Sequence, residues 1–177
     1  IGRVVLNGIE INQISKPILF VTGGGNGSLL LNELIKNNFA ELTKKFFIIH
    51  QVGKGFEVEY QKLNNDSYIA MPFIGKEMID LFKLAKVIVS RAGAGTVCEL
   101  MAMGKRSLFV PLKIAQKNEQ FHNAMEANRK LESIVIEEKD LNQSSFLNAV
   151  NELAQDSQNR SSVLPNGSVK LLAEILN

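Results

Sequence analysis

The sequence has few of the residues that build disulfide-stapled or zinc-bound proteins. It contains one cysteine, Cys98, two histidines and no tryptophan among its 177 residues. A single cysteine excludes an internal disulfide. Neither His50 nor His122 has a cysteine or a second histidine at the spacing of a zinc site. Neither a disulfide framework nor a zinc site is therefore expected.

Long apolar runs and a strong excess of one charge are also missing. No stretch reaches the roughly 18 apolar residues of a membrane span, and no signal peptide is visible. The net charge is +2 and the basic residues are scattered, which argues against bulk affinity for nucleic acid. We expect one globular, cytoplasmic domain. The chain begins at Ile1 rather than Met, which suggests an excised domain or a processed product.

Two common nucleotide-binding patterns fail on specific residues. No G-x-x-x-x-G-K-[ST] motif occurs, which excludes a P-loop. The run from Gly23 to Ser28 resembles G-x-G-x-x-G but ends in Ser28. In addition, the second predicted strand ends in His50-Gln51, where a dinucleotide-binding fold needs an acidic residue for the ribose. A dehydrogenase is therefore not expected.

What the sequence does contain is an alternation of short apolar runs and longer helical stretches. This pattern predicts an α/β fold with a Rossmann-like parallel sheet of about six strands and helices on both faces. The predicted strands are 17–22, 46–50, 67–71, 87–90, 107–111 and 133–136, and the main predicted helices are 29–35, 76–85, 100–103, 120–131, 144–154 and 168–176. We expect residues 1–16 to be a linker segment and residues 17–177 to form the domain.

The most informative segment is Arg91–Glu99, which follows the apolar run Val87–Ser90. A turn of very small residues at a helix start leaves backbone N–H groups open to an anion, and Glu99 adds a carboxylate nearby. Small residues at such turns also serve strand–helix packing, and a helix dipole alone favours Glu in a first turn. The segment by itself therefore supports both interpretations.

Topology favours the nucleotide interpretation. In a parallel sheet with right-handed crossovers, the loops after the strands share one edge, and ligands bind in the crevice there. The loops Gly23–Gly27, Phe73–Gly75 and Arg91–Thr96 and the segment after Pro111 all fall on that edge. We therefore predict a nucleotide site.

At this point the residues resemble the MurG family, which adds N-acetylglucosamine to lipid I in peptidoglycan synthesis, and specifically its C-terminal, donor-binding domain. The resemblance covers roughly residues 17–176. The matching pieces, in family order, are Gly23-Gly24-x-x-Gly27, His50-Gln51-x-Gly53-Lys54-Gly55, Phe73-Ile74, Arg91-Ala92-Gly93-Ala94-x-Thr96-x-x-Glu99, Val110-Pro111 and Gln120-x-x-Asn123-Ala124. The resemblance implies one half of a GT-B glycosyltransferase of family 28.

The resemblance also implies roles for individual residues. The backbone of Ile74 would read the uracil edge with Phe73 nearby, and Glu99 would accept hydrogen bonds from both ribose hydroxyls. Gln120 would contact the sugar, with Asn123 beside it or supporting the loop. Arg91 would either neutralise phosphate or brace its loop. The diphosphate would be held by backbone amides of two segments: Gly23, Gly24, Gly25, Asn26 and Gly27, and Gly93, Ala94, Gly95 and Thr96.

The resemblance implies that the chain binds a UDP-sugar, expected to be UDP-N-acetylglucosamine. The chain would be the donor half of an inverting transferase of cell-wall biogenesis. The resemblance further implies a lipid-linked acceptor and a full-length protein that is peripheral on the cytoplasmic face of the membrane. It also implies that the acceptor groove and the catalytic base lie on a missing N-terminal domain or partner subunit, so this domain is expected to be inactive alone. Alternatives are a separate catalytic subunit of a two-component lipid-linked N-acetylglucosamine transferase, or a non-catalytic nucleotide-sugar-binding module.

No cofactor is expected. No D-x-D metal motif occurs, because the four aspartates, Asp66, Asp80, Asp140 and Asp156, stand isolated. The sequence therefore does not require a divalent metal to bridge the diphosphate. His50 is interpreted as structural and His122 as facing solvent.

The sequence departs from the family pattern at a few positions. Gly25 stands where the family often has Ser, and Lys86 where Asp is common. Glu119 replaces a residue that is usually His or Gln. Because Glu119 lies beside the sugar-contacting Gln120, this change puts the identity of the donor sugar in doubt. UDP is therefore the firmer part of the donor prediction.

Overall fold

The structure is a computed structural model that describes residues 3–113, 118–157 and 160–163. Strands β1 (Val5–Leu6) and β2 (Ile9–Glu10) form an antiparallel hairpin. Six further strands form one parallel sheet: β3 (Ile18–Thr22), β4 (Phe47–Gln51), β5 (Tyr68–Met71), β6 (Val87–Ser90), β7 (Leu108–Phe109) and β8 (Ile134–Val135). The predicted α/β class and the parallel sheet of about six strands are confirmed.

The strands are apolar throughout because both faces of the sheet are covered. Phe20 and Ile88 belong to the core on one face, whereas their neighbours Leu19 and Val89 belong to the core on the other face. This alternation is the two-residue period of a β-strand. Burial on both faces explains why β3, β4 and β6 lack the polar alternation of a half-exposed strand.

Seven helices within the described residues cover these faces: α1 (Leu29–Asn37), α2 (Phe39–Lys45), α3 (Glu57–Tyr60), α4 (Met78–Leu84), α5 (Ala94–Ala102), α6 (Glu119–Leu131) and α7 (Gln143–Gln155). Local signals set some of their ends. Ser28 caps α1 by accepting from the Leu31 N–H, and Asn142 and Ser145 form a capping box at α7. The predicted helix 168–176 lies outside the described residues.

The strand order positions the candidate site. The sheet reads β5-β4-β3-β6-β7-β8, so the chain builds outward from β3 to one edge and then returns to build from β6 to the other. The order reverses between β3 and β6, which are neighbours paired at Thr22 and Ser90. Such a switch point opens a crevice at the carboxyl ends of the strands.

The segment predicted as a linker is packed onto the domain over part of its length. Val4, Leu6 and Ile11 are buried in the same core cluster as Phe20 and Phe82, and the Ile11 N–H donates to the Val4 carbonyl at 2.9 Å. Whether residues 1–16 also join two domains stays a prediction.

His50 is structural, as predicted. Its Nε2 and the Asn32 Oδ1 are 3.0 Å apart, and its Nδ1 and the Tyr68 hydroxyl are 2.9 Å apart. Asn32 donates through Nδ2 to the Val52 carbonyl, so its Oδ1 is the acceptor and His50 donates from Nε2. Tyr68 then donates to Nδ1, which makes the ring neutral and fully satisfied. The ring of His122, by contrast, is exposed.

Burial lowers the pKa of His50 from 6.5 to about 3, and this predicts acid sensitivity. In the unfolded chain His50 binds a proton near pH 6.5, whereas in the folded protein it does so only near pH 3. The free energy of unfolding should therefore decrease as the pH falls from about 6.5 to about 3. One such proton changes the free energy of unfolding by about 1.4 kcal/mol per pH unit. Urea titrations at several pH values should show that His50→Gln loses this part of the slope.

The matched control is His122→Gln, which removes the exposed histidine. It should keep the slope of the unsubstituted chain. An identical pH slope in His50→Gln and the unsubstituted chain would contradict a buried neutral His50.

Candidate functional site

Three loops meet at the switch point, and together they form what we call the strand-end crevice: Gly23–Ser28 after β3, Pro72–Gly75 after β5 and Arg91–Thr96 around the start of α5. Each follows a strand of the same parallel sheet, so all open on the same edge. The sequence predicted that these loops lie on one edge of the sheet, and the structure confirms this.

Glycine allows the loop after β3 to lie directly on the loop after β4. Gly27 has φ +74° and Gly53 has φ +92°. A Cβ on Gly27 would overlap the Val52 carbonyl oxygen, and a Cβ on Gly53 would overlap the backbone of Gly27. Both positions therefore need glycine for conformation and for space.

Gln51 connects these loops through side-chain hydrogen bonds, and the sequence motifs assigned it no role. Its side chain is buried at the end of β4. Nε2 donates to the Gly24 carbonyl at 2.8 Å and to Thr22 Oγ1 at 3.0 Å. Oε1 accepts from the Ile74 N–H at 2.8 Å. The His50-Gln51 pair in the sequence was the available signal, because a polar pair ending a buried strand needs partners.

Phe73 and Ile74 divide between surface and core. The Phe73 side chain is 53% exposed, whereas Ile74 is buried. The Phe73 ring lies beside Gly25, since a Cβ built there would be 3.8 Å from the ring Cε2. The loop after β5 therefore offers an exposed aromatic ring next to the glycine loop.

The start of α5 offers unpaired backbone donors. Gly93 is its N-cap and provides no side-chain hydrogen bond. The N–H groups of Ala94, Gly95 and Thr96 form no hydrogen bond within residues 3–113, 118–157 and 160–163. A Cβ on Gly93 or Gly95 would meet no described atom within 4 Å, so there is free space beside this helix start. A helix start of this kind is an anion site.

Glu99 lies in the second turn of α5, and no acidic residue occupies the first turn. The preference of a helix dipole for acids in the first turn therefore does not explain it. Its side chain is partly buried, and burial raises its pKa. No ion pair or hydrogen bond to its carboxylate exists among the described residues. Helical side chains lean towards the helix N-terminus, which brings this carboxylate towards the open amides of α5.

Arg91 takes the bracing role, one of the two roles left open by the sequence. Its Nε donates to Ser28 Oγ at 3.0 Å and its guanidinium pairs with Glu138 at 2.7 Å. It also donates to the Val110 carbonyl at 3.1 Å. Only 11% of the side chain is exposed. Arg91 thus joins the ends of β3, β7 and β8, and its charge is already balanced by Glu138.

Gln120 and Asn123 hold the start of α6 against the same loop. Gln120 Oε1 accepts from the Ala92 N–H at 3.2 Å and from the Leu112 N–H at 3.0 Å. Asn123 donates to the Ala92 carbonyl at 3.2 Å, which is the loop-supporting role left open for it. Contact of Gln120 with a sugar stays a prediction.

The structure thus separates the predicted residues into two groups. Arg91, Gln120 and Asn123 support the loops. The groups that line the strand-end crevice come together from three loops and one helix: Gly23, Gly24, Gly25, Asn26, Gly27, Phe73, Ile74, Gly93, Ala94, Gly95, Thr96 and Glu99.

No group of three His, Cys, Asp or Glu side chains among the described residues could hold a metal ion. In the same part of the chain, no helix has both the length and the apolar character needed to cross a membrane.

The model of the glycosyltransferase family 28 C-terminal domain matches residues 18–173. The chain belongs to this family. The match begins at β3 and covers every part of the strand-end crevice, so the resemblance stated from the motifs is confirmed.

Two curated relatives share the same descriptive name, UDP-N-acetylglucosamine–N-acetylmuramyl-(pentapeptide) pyrophosphoryl-undecaprenol N-acetylglucosamine transferase. The family 28 chain is 37% identical to the protein of Clostridium tetani over 157 residues, 88% of this chain and 44% of the relative. It is 34% identical to that of Lachnospira eligens over 173 residues, 88% of this chain and 49% of the relative. The chain therefore spans about half the length of these relatives.

Solved structures agree on the fold. MurG of Acinetobacter baumannii superposes with a TM-score of 0.69 at 25% identity, covering 94% of this chain and 51% of that one. The calicheamicin glycosyltransferase CalG4 gives 0.65 at 20% identity, covering 81% and 36%. ALG13 gives 0.61 at 16% identity, covering 89% and 94%. The family 28 chain therefore has the α/β fold found in one half of MurG and CalG4.

Proposed function

We propose that this chain is the donor-binding half of an inverting glycosyltransferase, that it binds UDP-N-acetylglucosamine, and that the whole protein transfers the sugar to a lipid-linked acceptor. One observation carries the proposal. The start of α5 carries N–H groups that are open, and Glu99 on the same helix carries a partly buried carboxylate that is unpaired, as far as the described residues extend; both lie at the switch point of the sheet. The names of the relatives supply the sugar and the acceptor.

The open amides of α5 suit a diphosphate. Ala94, Gly95 and Thr96 present three N–H groups, and the helix dipole adds a favourable potential for a negative charge. The Gly23–Ser28 loop at the start of α1 contributes further backbone from the neighbouring strand end. Such preorganised donors need no cation to hold the diphosphate, so we propose that binding needs no metal.

Glu99 suits a ribose. Its two carboxylate oxygens can accept from two neighbouring hydroxyls, and charge-assisted hydrogen bonds are roughly twice as strong as neutral ones. Burial disfavours the ionised form of this side chain, and no cation among the described residues pairs with it. A ligand that donates two hydrogen bonds relieves that penalty, which favours a diol.

The same groups would act on the transition state. When an acceptor displaces UDP directly at the anomeric carbon, negative charge grows on the diphosphate. Fixed amides aimed at that charge stabilise the transition state more than the ground state. We propose that the catalytic base and the lipid-acceptor groove belong to the remainder of the protein, that the complete enzyme works on the cytoplasmic face of the membrane, and that this chain alone binds donor without turnover.

Calorimetric titration of the purified chain with UDP and with UDP-N-acetylglucosamine tests the proposal. We expect a single site for both ligands, with the same affinity in EDTA and in Mg²⁺. ADP serves as the control nucleotide and should bind at least about tenfold more weakly, because its base cannot match a pyrimidine pocket. Absence of heat at millimolar UDP would overturn the proposal.

Restoring a serine at Gly25 should strengthen donor binding. A Cβ fits there, since its nearest neighbour would be the Phe73 ring at 3.8 Å, and the φ of Gly25 is not positive. The added hydroxyl can donate to a phosphate, which predicts a gain of about 0.5–1.5 kcal/mol in UDP binding for Gly25→Ser. Gly25→Ala is the matched control and should leave the affinity unchanged. An equal effect of both substitutions would mean that no hydroxyl–phosphate bond forms.

A further inference from the structure

The hydroxyl of Ser28 carries a proton for which the described part of the chain provides no acceptor. Its Oγ accepts from the Leu31 N–H at 3.4 Å and from Arg91 Nε at 3.0 Å. Because a hydroxyl has two lone pairs and one O–H, these two bonds occupy both lone pairs. The residue is only 8% exposed, and a buried donor without an acceptor is costly. The group that completes this side chain must therefore be an acceptor.

This hydroxyl lies in the strand-end crevice, beside other donors. Ser28 ends the Gly23–Ser28 loop and is the N-cap of α1. The N–H groups of Leu29 and Leu30, which follow it, form no hydrogen bond within the described residues. Gly23 packs directly against Ser28, since a Cβ built on Gly23 would lie 2.7 Å from the Ser28 Cβ. An anion is the acceptor that suits a hydroxyl at such a helix start.

Arg91 makes the Ser28 hydroxyl a stronger donor. The guanidinium of Arg91 is fixed by its ion pair with Glu138 at 2.7 Å and by its bond to the Val110 carbonyl at 3.1 Å. Its Nε–H then donates to Ser28 Oγ. Hydrogen bonds in a chain polarise one another, so a cationic donor on the oxygen strengthens the O–H as a donor. Glu138, Arg91 and Ser28 thus form a chain that ends in an unused O–H.

We infer that the Ser28 hydroxyl donates to a phosphate oxygen of the bound nucleotide, and that Arg91 acts on this phosphate through Ser28 rather than by direct contact. The inference rests on the proposed function and adds to it a side chain that the sequence motifs did not assign to the site. Ser28 supplies, from the same loop, the hydroxyl that is missing at Gly25. When the bond between the sugar and UDP breaks, negative charge grows on the diphosphate, and a donor held by Arg91 stabilises it.

Comparison of UDP with uridine separates a phosphate contact from general damage to the site. Ser28→Ala should weaken UDP binding about tenfold or more, because it removes a hydrogen bond to a charged group. Uridine carries no phosphate, so its affinity should change less than about threefold. Amide NMR titrations with the two ligands measure both losses. Ser28→Thr keeps the hydroxyl on an extended backbone with φ −147° and should restore UDP affinity to within about threefold of the unsubstituted chain.

Two further variants control for the loss of the helix cap. Ser28→Asp keeps an acceptor for Leu31 and Arg91, and aspartate is a good N-cap, so this chain should fold; without an O–H it should still lose UDP affinity about tenfold or more and keep that for uridine. Ser145→Ala removes a capping hydroxyl at the start of α7, which follows the outermost strand β8. It should lower the stability but leave the UDP affinity unchanged.

The outcomes distinguish this inference from the proposed function. If the unsubstituted chain binds no UDP, both fail. If UDP binds but Ser28→Ala and Ser28→Asp weaken UDP and uridine by the same factor, or weaken neither, the donor role stands and the assignment of Ser28 is overturned. A folded Ser28→Thr chain that binds UDP as weakly as Ser28→Ala overturns it as well.

Discussion

Replacing Glu99 by alanine is expected to weaken UDP binding by about 1.5–3 kcal/mol, roughly 10- to 150-fold, which is the range for hydrogen bonds to a charged group. The loss arises because two ribose hydroxyls lose their acceptor. Calorimetry of the Glu99→Ala chain measures it directly. Glu41→Ala, at an exposed carboxylate in α2, is the control and should bind UDP as the unsubstituted chain does. An unchanged UDP affinity in Glu99→Ala would contradict the assignment of Glu99 as the acceptor for the ribose hydroxyls.

The stability of a second variant, Glu99→Gln, should move in the opposite direction to its function. Burial raises the pKa of Glu99, so the folded state holds this proton more tightly than the unfolded state. The stability that the group contributes is present at low pH and is lost as the pH rises through its folded pKa. Once ionised, the side chain therefore opposes folding, and a neutral amide removes that penalty.

Thermal unfolding at pH 7 checks this second variant. Glu99→Gln should melt at the same temperature as the unsubstituted chain or higher, although it binds UDP more weakly. Such a trade of stability for function is expected where a binding site keeps an unpaired group. A drop of about 4 °C or more, about 1 kcal/mol for a chain of this size, would show instead that Glu99 supports the fold.

The second large effect is expected at Gly27. Its φ of +74° disfavours any side chain, and a Cβ there would overlap the Val52 carbonyl oxygen. Gly27→Ala should therefore lose about 2–4 kcal/mol of stability, from a left-handed conformation together with an overpacked contact. The loop can relieve the overlap only by moving away from Gly53, which would also separate from α5 the backbone that we propose to bind the diphosphate.

Urea unfolding and UDP titration of Gly27→Ala measure these two consequences. We expect a lower unfolding midpoint and UDP binding weakened about tenfold or more, because backbone donors displaced by an ångström lose most of their hydrogen-bond energy. Gly25→Ala lies two residues away in the same loop, where a Cβ has room, and should leave both quantities unchanged. Equal behaviour of the two variants would contradict the described contact between the loops.

The sequence predicted most of the fold because its strands are short, continuous and apolar. The apolar runs Phe47–Gln51 and Val87–Ser90 predict strands buried on both faces. Ser28 is a typical N-cap residue and indicates a helix start. Helices α2 and α3 were missed. Helix α2 follows α1 after the single residue Asn38, and α3 is one turn long, so neither gives a clear apolar period over a sufficient length.

The parts of the candidate site that consist of backbone groups were predictable, because small residues at a strand end indicate an open helix start. The uses of polar side chains were less accessible. Arg91 and Asn123 each had two chemically reasonable partners, and only the fold brings Glu138 to Arg91 and Ala92 to Asn123. The role of Gln51 depends on Thr22 and Ile74, residues 29 and 23 positions away. No local pattern carries that information.

Titration of the ¹⁵N-labelled chain with UDP, followed by amide NMR, tests the central claim most directly. We expect saturable shifts at the amides of the Gly23–Ser28 loop, at Ala94, Gly95 and Thr96, and in the Phe73–Gly75 loop. The exposed residue Lys45, which precedes the N-terminal end of β4 and so lies at the opposite edge of the sheet, should not shift. Shifts confined to residues outside the strand-end crevice, or none at millimolar UDP, would contradict a uridine diphosphate site built from open amides and Glu99.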